Sequence, residues 1–305
     1  MRYLALCFAL GLALPLAAGQ ENFNAGSQAA PWLKLSNNAR STAMGEAGVA
    51  LADDVNASDV NPAGLAQLQS QEVAFMHHAY VLDSAVEHVA YGLKPMENLG
   101  ASISLDYLNF GKVDKYRVDT ATNQLVSDGS FNPSGMHLDL GAGYSFGSVS
   151  AGLNAKWVSQ SFDGSGSSTV GADLGVLWRQ GETGLSLGLA EQNLGGQLDG
   201  ANLPMSTRAG AAYRQAVGAK DMATLAADAN IPSAQASATS FGAGLEYAGH
   251  DLYAVRAGYK LVGNGGASGF TVGGGVKVSI VNLDYAFNAV GDLGNTHQVS
   301  ALLKF

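Results

Sequence analysis

From Gln71 to Phe305 the chain repeats one pattern: runs of about ten residues that alternate apolar with small or polar positions, separated by turn-forming residues. The runs are Gln71–Tyr80, Val86–Lys94, Gly100–Leu108, Met136–Phe146, Val149–Ser159, Ser168–Arg179 and Thr183–Asn193. They continue as Met205–Ala216, Ala219–Asn230, Ser240–Ala248, Asp251–Leu261, Gly269–Val278, Val281–Ala289 and His297–Phe305. Within one run Leu138, Leu140, Ala142, Tyr144 and Phe146 stand against His137, Asp139, Gly141, Gly143 and Ser145. Successive strand residues face opposite sides of a sheet, so one face is apolar and the other polar or tiny. An even number of such strands predicts an all-β fold, a 14-stranded antiparallel transmembrane β-barrel with lipid outside and a filled or wet lumen inside.

The connections support this reading. Short links at Gly147-Ser148, Gln180–Glu182, Val217-Gly218, Gly249-His250 and Ser279-Ile280 alternate with longer ones at Gln160–Ser167, Leu194–Pro204, Ile231–Thr239 and Val262–Ser268. Barrels of bacterial outer membranes have short periplasmic turns and longer external loops. The longest link, Asn109–Gly135, falls in the external class, and Pro95–Leu99 is a slightly long periplasmic turn. Both ends of the barrel are then periplasmic.

Asn37–Leu68 breaks the pattern. It mixes small residues, paired acids and a Pro-Gly punctuated end, and reads as a compact insert that plugs the lumen. Asn61-Pro62-Ala63-Gly64 would turn it into the first strand, because proline fixes φ and glycine allows close backbone approach. Ahead of it, Met1-Arg2, the apolar run Tyr3–Leu14 and the small residues up to Gly19 form a secretory signal peptide. The expected divisions are 1–19 signal peptide, 20–36 periplasmic arm, 37–68 plug and 71–305 barrel.

Composition sharpens the picture. Hydrophobic residues are 47% of the chain but charged residues only 13%, half the usual share of about 25%. No later run approaches the roughly 18 apolar residues of a membrane helix. Gly is 40 of 305 residues, about twice the usual ~7%, which suits turns and a crowded lumen. The net charge of −9 argues against a nucleic-acid partner. The single Cys7 lies in the signal peptide, so no thiolate chemistry is expected after processing.

The segment Ala39-Arg40-Ser41-Thr42-Ala43-Met44-Gly45, then Val49-Ala50-Leu51-Ala52-Asp53-Asp54 and Asn61-Pro62-Ala63-Gly64-Leu65-Ala66, resembles the amino-terminal plug of FadL-like outer-membrane barrels, most closely the PorV/PorQ family. It departs at Glu46, where a small residue or glycine would be typical, and at Ser58-Asp59-Val60, where an aromatic often precedes Asn-Pro. The resemblance implies a fourteen-stranded barrel in the outer membrane of a Gram-negative-type bacterium. It further implies a role in type IX secretion, binding exported proteins that leave the translocon. The wider FadL group instead passes hydrophobic small molecules sideways into the membrane. A structural barrel with neither activity is the third reading.

Few residues suggest chemistry. His77 and His78 are adjacent and so face opposite ways, and His88 and Ser84 complete no triad, which leaves no catalytic residue and an expected non-enzyme. Asp53, Asp54, Asn56, Ser58 and Asp59 are spaced like a calcium loop but lack its glycine and final glutamate. No cofactor or metal is expected. The assigned residues are therefore Asp53, Asp54, Asn61, Pro62, Ala63 and Gly64 as the plug motif, and Phe305 as the assembly signal read by the barrel-assembly machinery. Inward-phase charges such as Asp139, Lys156, Asp173, Arg214, Asp228 and Glu246 are expected to hold the plug. The mixed charged and aromatic loop Asn109–Gly135 favours contact with secreted cargo over capture of an alkyl chain.

Overall fold

A computed structural model describes residues 28–233, 238–263, 266–289, 291 and 294–305. The first strands are β1 (Glu72–Ala79), β2 (Ala85–Met96), β3 (Leu99–Asn109), β4 (Val113–Asp119), β5 (Gln124–Phe131) and β6 (Ser134–Ser145). Next come β7 (Val149–Phe162), β8 (Ser165–Arg179), β9 (Gly184–Leu194), β10 (Gln197–Leu198), β11 (Ala201–Asn202) and β12 (Ser206–Ala216). The last are β13 (Met222–Pro232), β14 (Ser240–Gly249), β15 (Tyr253–Val262), β16 (Gly269–Val278), β17 (Val281–Ala289) and β18 (Asn295–Lys304). Fourteen of them close an antiparallel barrel, the pairs β4–β5 and β10–β11 standing apart as hairpins. The seam is β1 against β18, in register from Glu72↔Lys304 to Ala79↔His297.

The fourteen runs of the sequence are the fourteen barrel strands, and the expected phase holds. In β6, His137, Asp139, Gly141 and Gly143 are buried while Leu140 and Tyr144 stand exposed on the outside. Leu153, Trp157, Leu174, Leu225, Leu245 and Tyr285 extend this apolar outer surface around the barrel. A sheet closed on itself leaves no unpaired edge, and an apolar outer face is what lipid requires. Among the described residues no helix is long and apolar enough to cross a membrane.

Several connections differ from the sequence reading; Pro95–Leu99, for one, is a two-residue turn, with β2 and β3 running on to the Met96↔Leu99 pair. Gln160–Ser167 is a tight hairpin: β7 and β8 run on to Phe162 and Ser165 around Asp163-Gly164, both at positive φ (45° and 79°). Asp-Gly is the dipeptide that such two-residue turns favour. The long link Asn109–Gly135 contains the β4–β5 hairpin, tied to the β7–β8 tip by Lys115 Nζ–Asp163 Oδ2 (2.5 Å) and by Phe131 against Phe162. The barrel thus has a turn end, where β1 begins and β18 finishes, and a loop end that carries these hairpins.

Phe305 is exposed beside the seam, and its backbone N–H and C=O pair with Gln71 (3.0 and 3.1 Å). Deleting Phe305 removes both bonds and an apolar anchor. We expect markedly lower yield of assembled barrel, read as heat-modifiable mobility on gels; undiminished yield would remove Phe305 from any assembly role.

Candidate functional site

The lumen is filled by residues 28–68. Asn38 starts the short helix α1 (Ala39–Ala43), its side chain accepting from the N–H groups of Arg40 and Ser41. A second helix, α2 (Ala57–Val60), ends at Asn61, and Pro62 opens a 3-10 helix over Pro62–Gln67, a position where its missing N–H is harmless. Asn61 caps that helix through Ala63 N and donates from Nδ2 to Val49 O (2.9 Å) and to Val176 O of the wall (3.1 Å). Ala63 and Gly64 are buried, Gly64 against Ala52.

Inward glycines make the space. A Cβ at Gly152 would fall on the backbone of Pro62 and Ala63, and one at Gly258 on the backbone of Met44 and Gly45. Wall side chains then satisfy the plug's backbone. Asp228 Oδ2 accepts from Gly48 and Val49 (both 2.8 Å), Glu72 Oε2 accepts from Val55 (2.9 Å), and Thr271 Oγ1 bridges Gly45 N and Ala43 O. Glu46 takes the left-handed backbone (φ 65°) that glycine would favour. Its carboxylate meets Lys260 Nζ at 2.6 Å, which accounts for a charged residue there.

Three zones follow along the axis. At the turn end a cavity of about 850 Å³ opens between plug and wall. Its polar floor is an ion-pair net: Arg40 binds Glu246 through Nε and Nη2 (2.8 and 2.7 Å) and Asp53 through Nη1 (3.1 Å). Arg214 reaches Asp53 Oδ2 at 2.6 Å, and Arg256 joins Glu246 to Asp284. Burial raises the Asp53 pKa, but Arg214, Arg40 and Arg179 outweigh it and hold the carboxyl far below the usual range. Asp54 is pushed up by burial and by Asp53 beside it, and its Oδ1 accepts from Asn56 N (2.9 Å).

The second zone gathers histidines and acids. Register puts His88 of β2 opposite Asp106 of β3, and Asp106 opposite His137 of β6. His88 Nδ1 lies 3.0 Å from Asp106 Oδ1, and His137 Nε2 lies 2.7 Å from Asp106 Oδ2. Asp59 of the plug enters from the axis, its carboxyl raised to about 7 by burial and by Asp106. Beyond them Lys156 pairs with Asp173 (3.2 Å). His88, which completes no triad with Ser84, thus sits among carboxylates instead. His77, by contrast, faces outward to Glu87, and Ser84 Oγ donates to Val81 O. The acids spaced like a calcium loop do not converge: Asp53 joins the arginines and Asp59 the histidines.

The third zone, at the loop end, is apolar. Met76, Val86, Leu108, Val158, Leu198 and Leu203 form a throat filled by Ala29, Ala30 and Trp32, with Leu33 and Leu35 packed against it. Trp32 stacks on His137 with ring centroids 5.5 Å apart, and Gly135 clears its space. Gln28 bridges to Asn202 in the β10–β11 hairpin. The expected arm outside the turn end is thus differently placed. Its residues 28–36 cross the lumen at the opposite end, because Trp32 and its neighbours bury apolar surface there; residues 20–27 lie outside the described range.

The sequence profile of the uncharacterised protein family UPF0164 matches residues 15–247, more than half of the chain. The chain belongs to that family. No curated protein matches it significantly. In fold this UPF0164 member is similar to the toluene transporter TodX of Pseudomonas putida, at TM-score 0.63 and 12% identity over 88% of this chain and 97% of that one. The toluene transporter TbuX of Ralstonia pickettii gives 0.58 and 13% over 87% and 97%. A FadL homologue of Pseudomonas aeruginosa gives 0.52 and 10% over 89% and 99%. The UPF0164 chain therefore has a FadL-like barrel fold. These likenesses do not single out the PorV/PorQ group.

Proposed function

We propose that this barrel is an outer-membrane channel for small hydrophobic molecules of roughly monoaromatic size, not an accessory of type IX secretion. The observation that carries the reading is the apolar throat at the loop end, filled by the chain's own Ala29, Ala30 and Trp32 instead of by wall side chains. A solute of similar size and polarity can take the place of such a filler, since apolar contacts are not directional. The sequence argument for secreted cargo rested on the absence of a large apolar external loop. The apolar collecting surface lies beneath the loops, contributed by positions far apart in the chain. FadL-type folds among toluene transporters favour the same reading.

An exit fits the wall beside this throat. The β8–β9 ladder slips between Ala172 and Leu174, where Asn193 holds a left-handed backbone (φ 58°). Leu203 of the throat lies against Gly171 and Gly196 at this break. A bulge of this kind weakens the ladder locally, so a solute leaving the throat meets its least continuous wall there.

Titrating the detergent-purified protein with toluene tests the proposal. Trp32 emission should change saturably, and the change should vanish in Trp32→Phe, since Trp157 and Trp178 lie on the outer face. No saturable change, with no radiolabelled toluene retained above a detergent blank, would overturn it.

A further inference from the structure

The turn-end net matches acids with guanidinium groups, but the second zone does not. Asp59, Asp106 and Asp139 converge there, and Lys156, the ammonium within reach, is engaged by Asp173 and Asn193 and stands 3.9 Å from Asp139. Among the described residues, the basic groups within ion-pair distance of Asp59 and Asp106 are the imidazoles of His88 and His137. His88 Nδ1 lies 3.0 Å from Asp106 Oδ1 and 3.8 Å from Asp59 Oδ2. One donor atom from each of these three residues falls within 4.8 Å of the others. Donors that share a tetrahedral ion at about 2.0–2.2 Å stand roughly 3.3–3.6 Å apart, so these distances bracket that spacing.

Hydrogen bonding accounts for only part of this cluster: His88 Nδ1 bonds Asp106 Oδ1 and leaves Asp59 out. Asp59 Oδ2 has no hydrogen-bond partner although its side chain is only 9% exposed. His137 Nε2 meets Asp106 Oδ2 at 2.7 Å and holds that oxygen from the far side. Buried polar atoms are nearly always satisfied, and a buried carboxylate oxygen left open beside His88 and Asp106 marks a place for a positive ligand.

We propose that Asp59, His88 and Asp106 bind a divalent transition-metal ion of the zinc type between plug and wall, with His137 positioning Asp106 from the far side. Mixed imidazole and carboxylate donors suit zinc and its neighbours better than calcium or magnesium, which take oxygen alone. Asp59 belongs to the plug and the other ligands to β2 and β3, so the ion would fasten the plug to the wall. The proposal stands whether or not the throat carries solutes.

The test uses untagged full-length protein, stripped with EDTA and then equilibrated with ZnCl2 or CoCl2. About one zinc per chain should remain after gel filtration, and cobalt should give saturable visible absorption together with quenching of Trp32, which stacks on His137. Asp59→Asn and His88→Gln should abolish both signals while still showing heat-modifiable mobility. His137→Gln should weaken binding by roughly 10–100-fold, the usual effect of losing a group that holds a ligand. Should a variant fail to assemble, the wild-type protein still decides: ZnCl2 should raise its unfolding temperature and EDTA should reverse the rise. Absence of bound zinc and of cobalt absorption in the wild type would overturn the proposal, as would undiminished binding in Asp59→Asn and His88→Gln.

Discussion

Deleting residues 37–60 is expected to turn a sealed barrel into a conducting one. Eight-stranded barrels are filled by their own wall side chains, whereas those with 16–18 strands hold water; fourteen strands lie near the second case. Here the inward positions that would have to fill the space are in part glycines, such as Gly152, Gly188 and Gly258, each lying against plug backbone. Without the plug, nothing on the wall replaces it, and Asp228, Arg214 and Glu246 would face water. In planar bilayers the intact protein should show no resolved ion steps and the deletion variant discrete openings, while both migrate as folded barrels. Equal conductance would mean that residues 37–60 are not the seal.

The second large effect is expected from Gly152→Leu. Its side chain would have to occupy the position of the Pro62 carbonyl and Ala63 nitrogen. Overpacking a core typically costs 1–3 kcal/mol when side chains can give way. Here the obstacle is backbone fixed by Asn61 and Asn154, the latter donating to Ser58 O at 3.1 Å. Expelling it also forfeits hydrogen bonds worth about 1 kcal/mol each, so a loss of about 3 kcal/mol or more is expected. Limited proteolysis should cut the variant within residues 37–68 and leave the wild type intact. Gly166→Ala is the control, since its new methyl would meet nothing nearer than Gln160 O at 3.6 Å. Equal protection of Gly152→Leu and wild type would show that the plug does not rest on this wall.

The barrel was legible because alternation is local: each strand declares its two faces within about ten residues. The plug was legible for the opposite reason, as the stretch where alternation stops. Asp53 and Asn61 could be assigned to it, but their partners could not, since Arg214 and Val176 are more than a hundred residues away. The Asp163-Gly164 turn carried a usable signal that loop length obscured. The histidine cluster had a fainter one: pairing neighbouring strands by their inward phase sets His88, Asp106 and His137 at one level. Asp59 completes it from outside the sheet, where no register applies. Trp32 gave no periodic signal, so its place in the throat follows only from the apolar surface it covers.

The position of the arm also constrains the order of events during biogenesis. Residues 28–36 run beneath the loop end, yet the plug they lead into connects through Leu68 to β1, one half of the seam. Once β1 and β18 have zipped together, this thread is encircled and the wall's buried groups have already lost their water. Threading residues 28–36 through a closed ring would carry Trp32 and the charged plug past the wall's inward side chains, so entry while the seam is still open is the less obstructed course.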